Sequence, residues 1–349
     1  ADYGFYIDEK FHRANGFYWL NYLSNFFGFI DLSQISQLKL KEIEGFTLPN
    51  IDNWNLYGVI FDVPAAYLEI ILNIKNPIDY YQMRHFLVFI FFFFGAIFFY
   101  LILKNRFNNK IVSIIGVTLF ILTPRIFGDS FWNNKDIIFL TFFTISLFFY
   151  FKLIDNPSIK NIILLALFSA IGTTMRFAGI FLPITLIFLY IIDKISRRDE
   201  LHLKTILICC FSFFFFLFIF WPNVWSNLPA AIFSSLNLDM SWKGNVNFLG
   251  KYYFSGNLPY YYLFFWIIIS TPLIHLILFI FGFYNYIKRL ILRYFTIKQN
   301  SIYNDLWRSS NEKKDFLIFI NLIFFVIVLS FLNIHPVSYT HLTLPTTPY

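Results

Sequence analysis

The sequence predicts an all-α fold, namely a polytopic transmembrane helical bundle whose external loops carry short interfacial helices. Hydrophobic residues make up 58% of the 349 residues and only 13% are charged, whereas soluble domains average about 25% charged residues. The hydrophobic residues fall into long uncharged runs, and about 20 such residues cross a bilayer as a helix. The basic residues, which give a net charge of +7, lie mainly between these runs. That distribution is typical of a membrane protein and not of a nucleic-acid-binding protein.

Eight apolar runs are predicted to be membrane spans. The second, fourth and fifth are short, and the count depends on whether two runs join around Arg176. The adjacent cysteines Cys209 and Cys210 lie inside the sixth run, so their spacing predicts neither a disulfide framework nor a metal site. The eight runs are Phe86–Leu103, Ile111–Thr123, Ile137–Phe151, Asn161–Met175, Phe177–Ile192, Thr205–Trp221, Pro259–Phe283 and Phe316–Leu332.

The density of Lys and Arg in the loops predicts how the bundle is oriented, because cytoplasmic loops carry the excess of basic residues. One alternating set of loops holds 16 basic residues in 60 positions, and the other holds 11 in 135. The denser set is predicted to be cytoplasmic and consists of 104–110, 152–160, 193–204 and 284–315. The external set consists of 1–85, 124–136, Arg176 and 223–258.

The first 85 residues contain no spanning run and are predicted to form an external region with short helices on the membrane. Asp62 is predicted to cap one of these helices, and Asn76-Pro77 to begin another that continues into the first span. An external N-terminal region requires an earlier span, so we expect that this span is missing and that residues 1–332 form one transmembrane domain. The segment 338–349 changes abruptly to Thr and Pro and resembles a translated sequencing adapter, so we expect a non-native tail.

Two adjacent carboxylates, Asp8 and Glu9, stand near the start of the external region, with His12 and Arg13 about one helical turn later. A carboxylate held by a nearby cation can act as a general base. A solvated loop at the membrane interface explains the same residues without any chemistry, so the motif alone leaves both interpretations open.

The external segment 124–136 is unusually rich in polar side chains for a short connection between apolar runs. Its charged and amide residues are Arg125, Asp129, Asn133, Asn134, Lys135 and Asp136. Polar groups at the membrane boundary are costly unless they are paired. Internal ion pairs with a helix cap at Asn134 or Asp136, or a functional site, account equally well for this composition.

Two further external features have both a functional and a structural interpretation. Arg176 lies alone between two spans. It is either a cation that binds a ligand or a side chain that reaches out to the membrane interface. The loop Trp225 to Pro259 contains Asp239, Lys243 and Lys251 and is either a lid over a substrate or a plain interfacial loop. The sequence contains no phosphate-binding glycine loop of the kinds that hold nucleotides, and neither an HExxH nor a CxxC motif.

Five motifs in a fixed order resemble the GT-C superfamily of membrane glycosyltransferases, and most closely the branch of dolichyl-phosphate-mannose–protein mannosyltransferases and bacterial lipid-linked sugar transferases. The motifs are IDEKFHR at 7–13, Arg84-His85 at the entry to a span, PRIFGDSFWNNKD at 124–136, MRFAG at 175–179, and FLGKYYFSGNLPYYY at 248–262 with Ser-Thr-Pro at 270–272. The resemblance extends over about residues 5 to 332. It implies a bundle that transfers a sugar from a polyprenyl-phosphate donor to an acceptor on the external face.

The resemblance also implies roles for particular residues. In such families the Asp of the first external loop is the presumed base that takes the proton of the acceptor hydroxyl, and here this is Asp8. The departing lipid phosphate develops negative charge, which external cations would stabilise. The further catalytic candidates are Glu9 and Asp129; the phosphate-binding candidates are Arg125, Lys135 and Arg176; the remaining candidates are Arg13, Asn134 and Asp136.

The expected partners are a polyprenyl-phosphate-linked sugar, a glycan, lipid or protein acceptor, and membrane lipids. No cofactor or metal site is expected, although a divalent cation is left open. We expect an integral protein of the bacterial inner membrane with a periplasmic active face. A transporter or lipid flippase is the alternative, but transporters carry ionisable groups near mid-membrane and internal repeats, and here the charges cluster at the external ends of the spans. A non-catalytic scaffold would leave those external groups without a role.

Overall fold

The computed structural model of the chain is predominantly helical, which confirms the predicted all-α membrane-protein class. It describes residues 9–44, 58–195, 202–225, 229, 245–254, 257–296 and 309–331. The chain divides into two compact units, residues 1–227 and residues 228–349. Asp8 and the predicted tail 338–349 lie outside the described residues, so the predictions about them stay predictions, as does the single domain 1–332.

Three helices precede the first membrane span: α1 (Glu9–Phe27), α2 (Ile30–Glu44) and α3 (Asp62–Ile71). The turn between α1 and α2 contains Gly28, whose φ of 81° is one that other residues rarely adopt. A β-carbon at Gly16 of α1 would collide with the carbonyl oxygen of Asp62, so glycine allows α1 to approach α3 closely. The shared core of the three helices consists of Ala14, Phe17, Leu20, Leu40, Ile43 and Ala66.

The start of α4 (Pro77–Phe107) confirms one prediction, and the start of α3 contradicts another. The Asn76 side chain accepts a hydrogen bond from the Ile78 amide at 3.2 Å, and α4 then runs for 31 residues into the first span, as expected. No side chain caps α3, and the residue at its N-cap position is Phe61. The predicted capping role of Asp62 is therefore wrong, because its carboxylate is engaged by side chains from other segments.

The rest of the first unit is a series of helices, most of them apolar. They are α5 (Lys110–Ile121), α6 (Pro124–Asp129), α7 (Asp136–Asp155), α8 (Ile159–Met175), α9 (Phe181–Ile195) and α10 (Leu203–Phe220), with short 3₁₀ helices at Phe177–Ile180 and Pro222–Trp225. The break at Arg176 separates α8 from the following helix, so the two predicted runs do not join. The short helix α6 lies between the membrane helices α5 and α7.

Five helices in the described part of the chain are long and apolar enough to cross a membrane, which supports an integral membrane protein. They are Pro77–Phe107, Asp136–Asp155, Phe177–Lys194, Leu203–Phe220 and Leu273–Leu292. The helices α5 and α8 are apolar but shorter, in agreement with the short runs predicted there.

The core of the bundle joins α3, α4, α7 and α8. Gly95 of α4 faces Thr141 of α7, where a β-carbon would lie only 3.1 Å from the threonine hydroxyl. That hydroxyl donates to the Phe91 carbonyl of α4 at 3.0 Å, so close packing and a hydrogen bond occur together, as in many membrane helix pairs. The core residues are Phe61, Ala65, Val88, Phe92, Ile137, Ile138, Phe142, Ile145, Ile171 and Met175.

Contacts at the two ends of the first unit join several loops that the charge distribution assigns to the same set. At one end, Asn105 donates to Asp155 at 3.0 Å and joins loops 104–110 and 152–160. At the other end, the Gly58 amide donates to the Thr174 carbonyl at 2.9 Å. Also at that end, the amide of residue 59 donates to the carbonyl of residue 220. This second end of the bundle is called the Asp62 end. It contains residues 9–15, 58–62, 124–136, 174–176 and 220–225.

The described part of the second unit contains a hairpin followed by three helices. The strands β1 (Asn245–Phe248) and β2 (Lys251–Phe254) pair antiparallel, with Phe248 opposite Lys251. The two turn residues both have positive φ, 52° at Leu249 and 77° at Gly250, which is the backbone of a type I′ hairpin turn. This hairpin occupies part of the loop 223–258, while Asp239 and Lys243 lie outside the described residues.

The predicted span Pro259–Phe283 is wrong, because the structure breaks it into two helices. The first, α11 (Tyr262–Ser270), ends two residues before α12 (Leu273–Thr296) begins. Pro272 lies in the break, and a proline has no N–H to continue the hydrogen-bond pattern of the preceding helix. The last described helix is α13 (Ser310–Phe331).

Candidate active site

Asp62 is the residue around which the polar side chains of the Asp62 end are organised. Its Oδ2 accepts a hydrogen bond from Asn15 Nδ2 at 2.8 Å and lies 3.2 Å from His12 Nδ1. Its Oδ1 accepts from Asn134 Nδ2 at 3.2 Å and lies 3.8 Å from Arg84 Nη1. One buried carboxylate thereby joins α1, α4 and the segment 124–136 to the start of α3.

Arg84 supplies the positive charge closest to Asp62 on α4. Arg84 is only 4% exposed, and its Nε, Nη1 and Nη2 atoms have no hydrogen-bond partner among the described residues. A buried charge is costly unless an opposite charge lies near it, so the proximity of Asp62 stabilises the guanidinium. Sequence reasoning placed Arg84 in a motif but assigned it no role.

Arg13, one of the predicted site residues, holds α1 against α3. Its Nη2 donates to Glu69 Oε1 at 2.6 Å, and its Nε donates to Glu69 Oε2 at 3.0 Å. Its guanidinium also lies 3.8 Å from the centre of the Tyr80 ring, at the start of α4. Both Arg13 and Glu69 are buried. These contacts account for Arg13 as a residue that fixes the helix carrying the acidic motif.

Glu9 is the first residue of α1 and directly follows Asp8. Its carboxylate is buried, and Oε1 accepts a hydrogen bond from His85 Nε2 at 2.7 Å. The second oxygen, Oε2, is buried and has no hydrogen-bond partner in the described part of the chain. The acidic motif is therefore attached to the start of the first membrane helix, α4, by a direct side-chain contact.

The segment 124–136 forms α6, a turn and the beginning of α7. Asn133 Oδ1 accepts from the backbone amides of Asp136 at 2.9 Å and Lys135 at 3.3 Å, so its side chain satisfies the first turn of α7. The expectation that Asn134 or Asp136 caps this helix is wrong, because Asn134 bonds to Asp62 and Asp136 bonds to Arg176.

Arg176 and Asp136 form an ion pair that links the segment 124–136 to the chain after α8. Both Nε and Nη2 of Arg176 lie 2.7 Å from Asp136 Oδ1, and Asn133 Nδ2 donates to Asp136 Oδ2 at 3.2 Å. The charge of Lys135 also acts on Asp136. Arg176 and Lys135, two of the predicted phosphate-binding cations, therefore lie next to Asp136, which was itself a predicted site residue.

The third predicted cation, Arg125, lies on α6 near Asp129. Its Nε is 4.0 Å from Asp129 Oδ2, and its side chain is 43% exposed, which leaves it accessible at the surface. Burial raises the pKa of Asp129 from 3.8 to about 6. The charge of Asp136 contributes to this higher pKa, while Arg125 and a hydrogen bond from Asn133 partly offset the effect of burial.

Replacing Asp129 by Asn is expected to stabilise the protein at pH 7.5 but not at pH 4. A carboxyl whose pKa is raised on folding binds its proton more tightly in the folded state, so its ionisation destabilises the fold as the pH rises from about 4 to about 6. A shift from 3.8 to about 6 corresponds to at most about 3 kcal/mol at 1.36 kcal/mol per unit. Thermal unfolding of the detergent-solubilised variant and wild type across this pH range measures the difference.

The matched control for this prediction is Asp79→Asn, which changes an exposed carboxylate in the first turn of α4. Its stability is expected to differ little from that of the wild type. A stability difference for Asp129→Asn that does not grow with pH would contradict the raised pKa.

Among the described residues, no group of three or more His, Cys, Asp and Glu side chains is arranged to hold a metal ion. The predicted base Asp8 lies outside this part of the chain. The structure places most of the other predicted site residues in two groups. Glu9, Arg13 and Asn134 make contacts that join α1, α3 and α4 with the segment 124–136. Lys135, Asp136 and Arg176 lie together at the start of α7.

Residues 68–225 match the family model of dolichyl-phosphate-mannose-protein mannosyltransferase. The matched segment begins within α3 and ends at the 3₁₀ helix after α10, so it includes the segment 124–136 and Arg176. No curated protein and no solved structure matches the chain. The match confirms the resemblance drawn from the motifs and supports a membrane glycosyltransferase of the GT-C type.

Proposed function

Because residues 68–225 match a mannosyltransferase family, we propose that the chain transfers a sugar from a polyprenyl-phosphate donor to an acceptor at the Asp62 end. One observation carries the proposal: the hydrogen bond from Asn134 to Asp62. It joins the segment 124–136, which carries cations, to Asp62 at the start of α3. Asp62 in turn contacts α1, the helix that begins at Glu9. A glycosyltransferase needs both a base and a set of cations in one place, and this contact brings the two segments together.

In the proposed reaction Asp8 removes the proton of the acceptor hydroxyl. The acceptor oxygen forms a bond to the anomeric carbon of the sugar, and the bond from that carbon to the phosphate oxygen breaks. The polyprenyl phosphate leaves with the electron pair of that bond. Glu9 and Asp129 are the other candidates for the base, and no metal ion or cofactor takes part in the proposal.

Cations beside the leaving phosphate stabilise the negative charge that develops on it. Asp136 holds Arg176 at the start of α7, Lys135 directly precedes Asp136 in the chain, and Arg125 projects from the surface of α6. A lipid donor reaches such a place directly from the bilayer, because these residues flank the ends of membrane helices. The arrangement therefore suits a donor whose phosphate lies at the membrane boundary.

We also propose that the Asp62 end faces outward and that the protein belongs to a bacterial inner membrane. The support is the basic-residue density, which is lower in the segments gathered at this end than in the loops at the opposite end. Nucleotide sugars are made in the cytoplasm, so a lipid-linked sugar is the suitable donor for an outward-facing site.

The proposal is tested with membranes that contain the full-length protein and a panel of polyprenyl-phosphate sugars. Release of free polyprenyl phosphate with at least one donor, above the release by membranes without the protein, is the expected result. Turnover of nucleotide sugars without any turnover of lipid-linked sugars would contradict the proposed donor class.

Replacing Arg176 by Ala is expected to weaken donor binding by about 10- to 100-fold, because a hydrogen bond to a charged group contributes about 1.5–3 kcal/mol. The KM for the lipid donor and equilibrium donor binding both measure this effect. Arg106→Ala is the matched control, because Arg106 lies in loop 104–110 at the opposite end of the bundle.

The single change also leaves the Asp136 carboxylate without its partner, so the double variant Arg176→Ala/Asp136→Asn separates the two effects. If Arg176 contacts the donor phosphate, binding stays weak in the double variant. Recovery of wild-type donor binding would show that Arg176 only neutralises Asp136.

A further inference from the structure

We propose that His85 is a positioning residue for Glu9, holding one carboxylate oxygen so that the other accepts a hydrogen bond from a sugar or acceptor hydroxyl. This inference rests on the proposed glycosyl transfer, and it assigns a role to a histidine that the sequence motifs leave unexplained. His85 acts here through Glu9 and makes no contact with the reacting atoms itself.

The contact between the two side chains is short and joins distant parts of the sequence. Nε2 of His85 lies 2.7 Å from Oε1 of Glu9, although the two residues are 76 positions apart along the chain. An ionised carboxylate can only accept hydrogen bonds, so Nε2 carries the proton and donates it. Hydrogen bonds to an ionised group are stronger than those between neutral groups, so this one fixes the Glu9 side chain.

The neighbouring cations are directed at other acids. Arg13 donates to Glu69, and Arg84, which precedes His85 on α4, lies next to Asp62. Successive residues of α4 therefore serve two different carboxylates. Within the described residues, His85 is the side chain that donates to Glu9.

The second oxygen of Glu9 carries the functional part of the inference. Glu9 is 6% exposed, and its buried Oε2 has no hydrogen-bond partner among the residues that the structure describes. Buried polar atoms nearly always have a partner, and an ionised oxygen without one is costly. Glu9 directly follows the proposed base Asp8 in the sequence, so the donor proposed for Oε2 is a hydroxyl group of a carbohydrate bound at the Asp62 end.

Whether the hydrogen bond from Nε2 of His85 is required can be tested by replacing His85 with side chains that do or do not place a donor next to Glu9. The Gln side-chain amide nitrogen occupies nearly the position of the histidine Nε2 and can donate to Glu9. The Asn amide nitrogen falls short of Glu9, and Leu has no donor. We expect His85→Gln to keep kcat within a few-fold of the wild type, and His85→Leu and His85→Asn to lower kcat by about 10- to 100-fold.

The experiment measures kcat and KM of the full-length protein in lipid nanodiscs, with whichever polyprenyl-phosphate sugar the donor panel identifies. Thermal unfolding of each variant shows that the fold is retained, and His85→Asn replaces His85→Leu in the comparison if the latter does not fold. His202→Leu is the matched control, because His202 is exposed at the start of α10. This substitution is expected to leave kcat unchanged.

A double-variant comparison separates positioning from a general structural effect. If His85 acts through Glu9, Glu9→Gln/His85→Leu has the same kcat as Glu9→Gln alone. Additive losses in the double variant, or equal losses for Gln and Leu at position 85, would overturn the inference. So would normal turnover of both His85→Leu and His85→Asn while the wild type is active. A wild type that turns over no lipid-linked sugar would instead overturn the proposed function, and the role of Glu9 with it.

Discussion

Replacement of Asp8 by Asn in the full-length protein is expected to slow sugar transfer by about 100- to 10,000-fold, the usual effect of losing a general base. Asn keeps the shape of the side chain but cannot take the acceptor proton. Donor binding is expected to change little, because the base acts on the acceptor and not on the lipid phosphate. Single-turnover kinetics with a saturating lipid donor, together with equilibrium donor binding, separates these two quantities.

The position of Asp8 in the chain supports this expectation. It directly precedes Glu9, whose carboxylate is fixed to α4 by His85, and the same helix α1 is fixed to α3 by Arg13 and Glu69. Asp79→Asn is the matched control, since it neutralises an exposed carboxylate outside the site. Near-normal turnover of Asp8→Asn would reject Asp8 as the base and direct attention to Glu9 and Asp129.

Replacement of Glu69 by Ala is expected to destabilise the fold by about 3–5 kcal/mol, because it leaves the charge of Arg13 buried without its partner. Glu69 is 1% exposed and Arg13 is 6% exposed, and the two are joined by hydrogen bonds as short as 2.6 Å. Thermal or denaturant unfolding in detergent measures the loss. The surface pair Lys39–Glu42, 3.2 Å apart within α2, provides the control.

Glu42→Ala is expected to cost less than about 1 kcal/mol, as exposed ion pairs usually do. Replacing both buried partners, as Arg13→Met/Glu69→Leu, is expected to recover much of the stability lost in Glu69→Ala, because no uncompensated charge then remains. A loss for Glu69→Ala no larger than that for Glu42→Ala would show that the Arg13–Glu69 pair does not hold α1 on α3.

Local signals in the sequence were sufficient to predict several features of the fold. Asn76-Pro77 combines a capping side chain with a proline at the first helical position, and α4 begins there. The basic residues of the loops sorted the connections into two sets, and the structure joins members of each set at one end of the bundle. The break at Arg176 was also visible, as a charge between two apolar runs.

Features that depend on contacts between distant segments were not predictable from one sequence. Asp62 resembled a helix cap because it precedes Pro64, but its hydrogen-bond partners are 47 to 72 positions away along the chain. Glu69 and His85 likewise become informative only when α1 packs against α3 and α4. The break at Pro272 was missed because the run 259–283 is apolar on both sides of it, and hydropathy alone does not register a missing backbone N–H.

Photo-cross-linking of a lipid donor to the full-length protein in membranes tests the central claim most directly. A polyprenyl-phosphate sugar with a photoreactive group near its phosphate is irradiated with the protein, and the labelled peptides are identified by mass spectrometry. The account predicts labelling within 124–136 and next to Arg176, suppressed by excess unlabelled donor. Donor-specific labelling confined to loops 104–110 and 152–160, at the opposite end of the bundle, would contradict it.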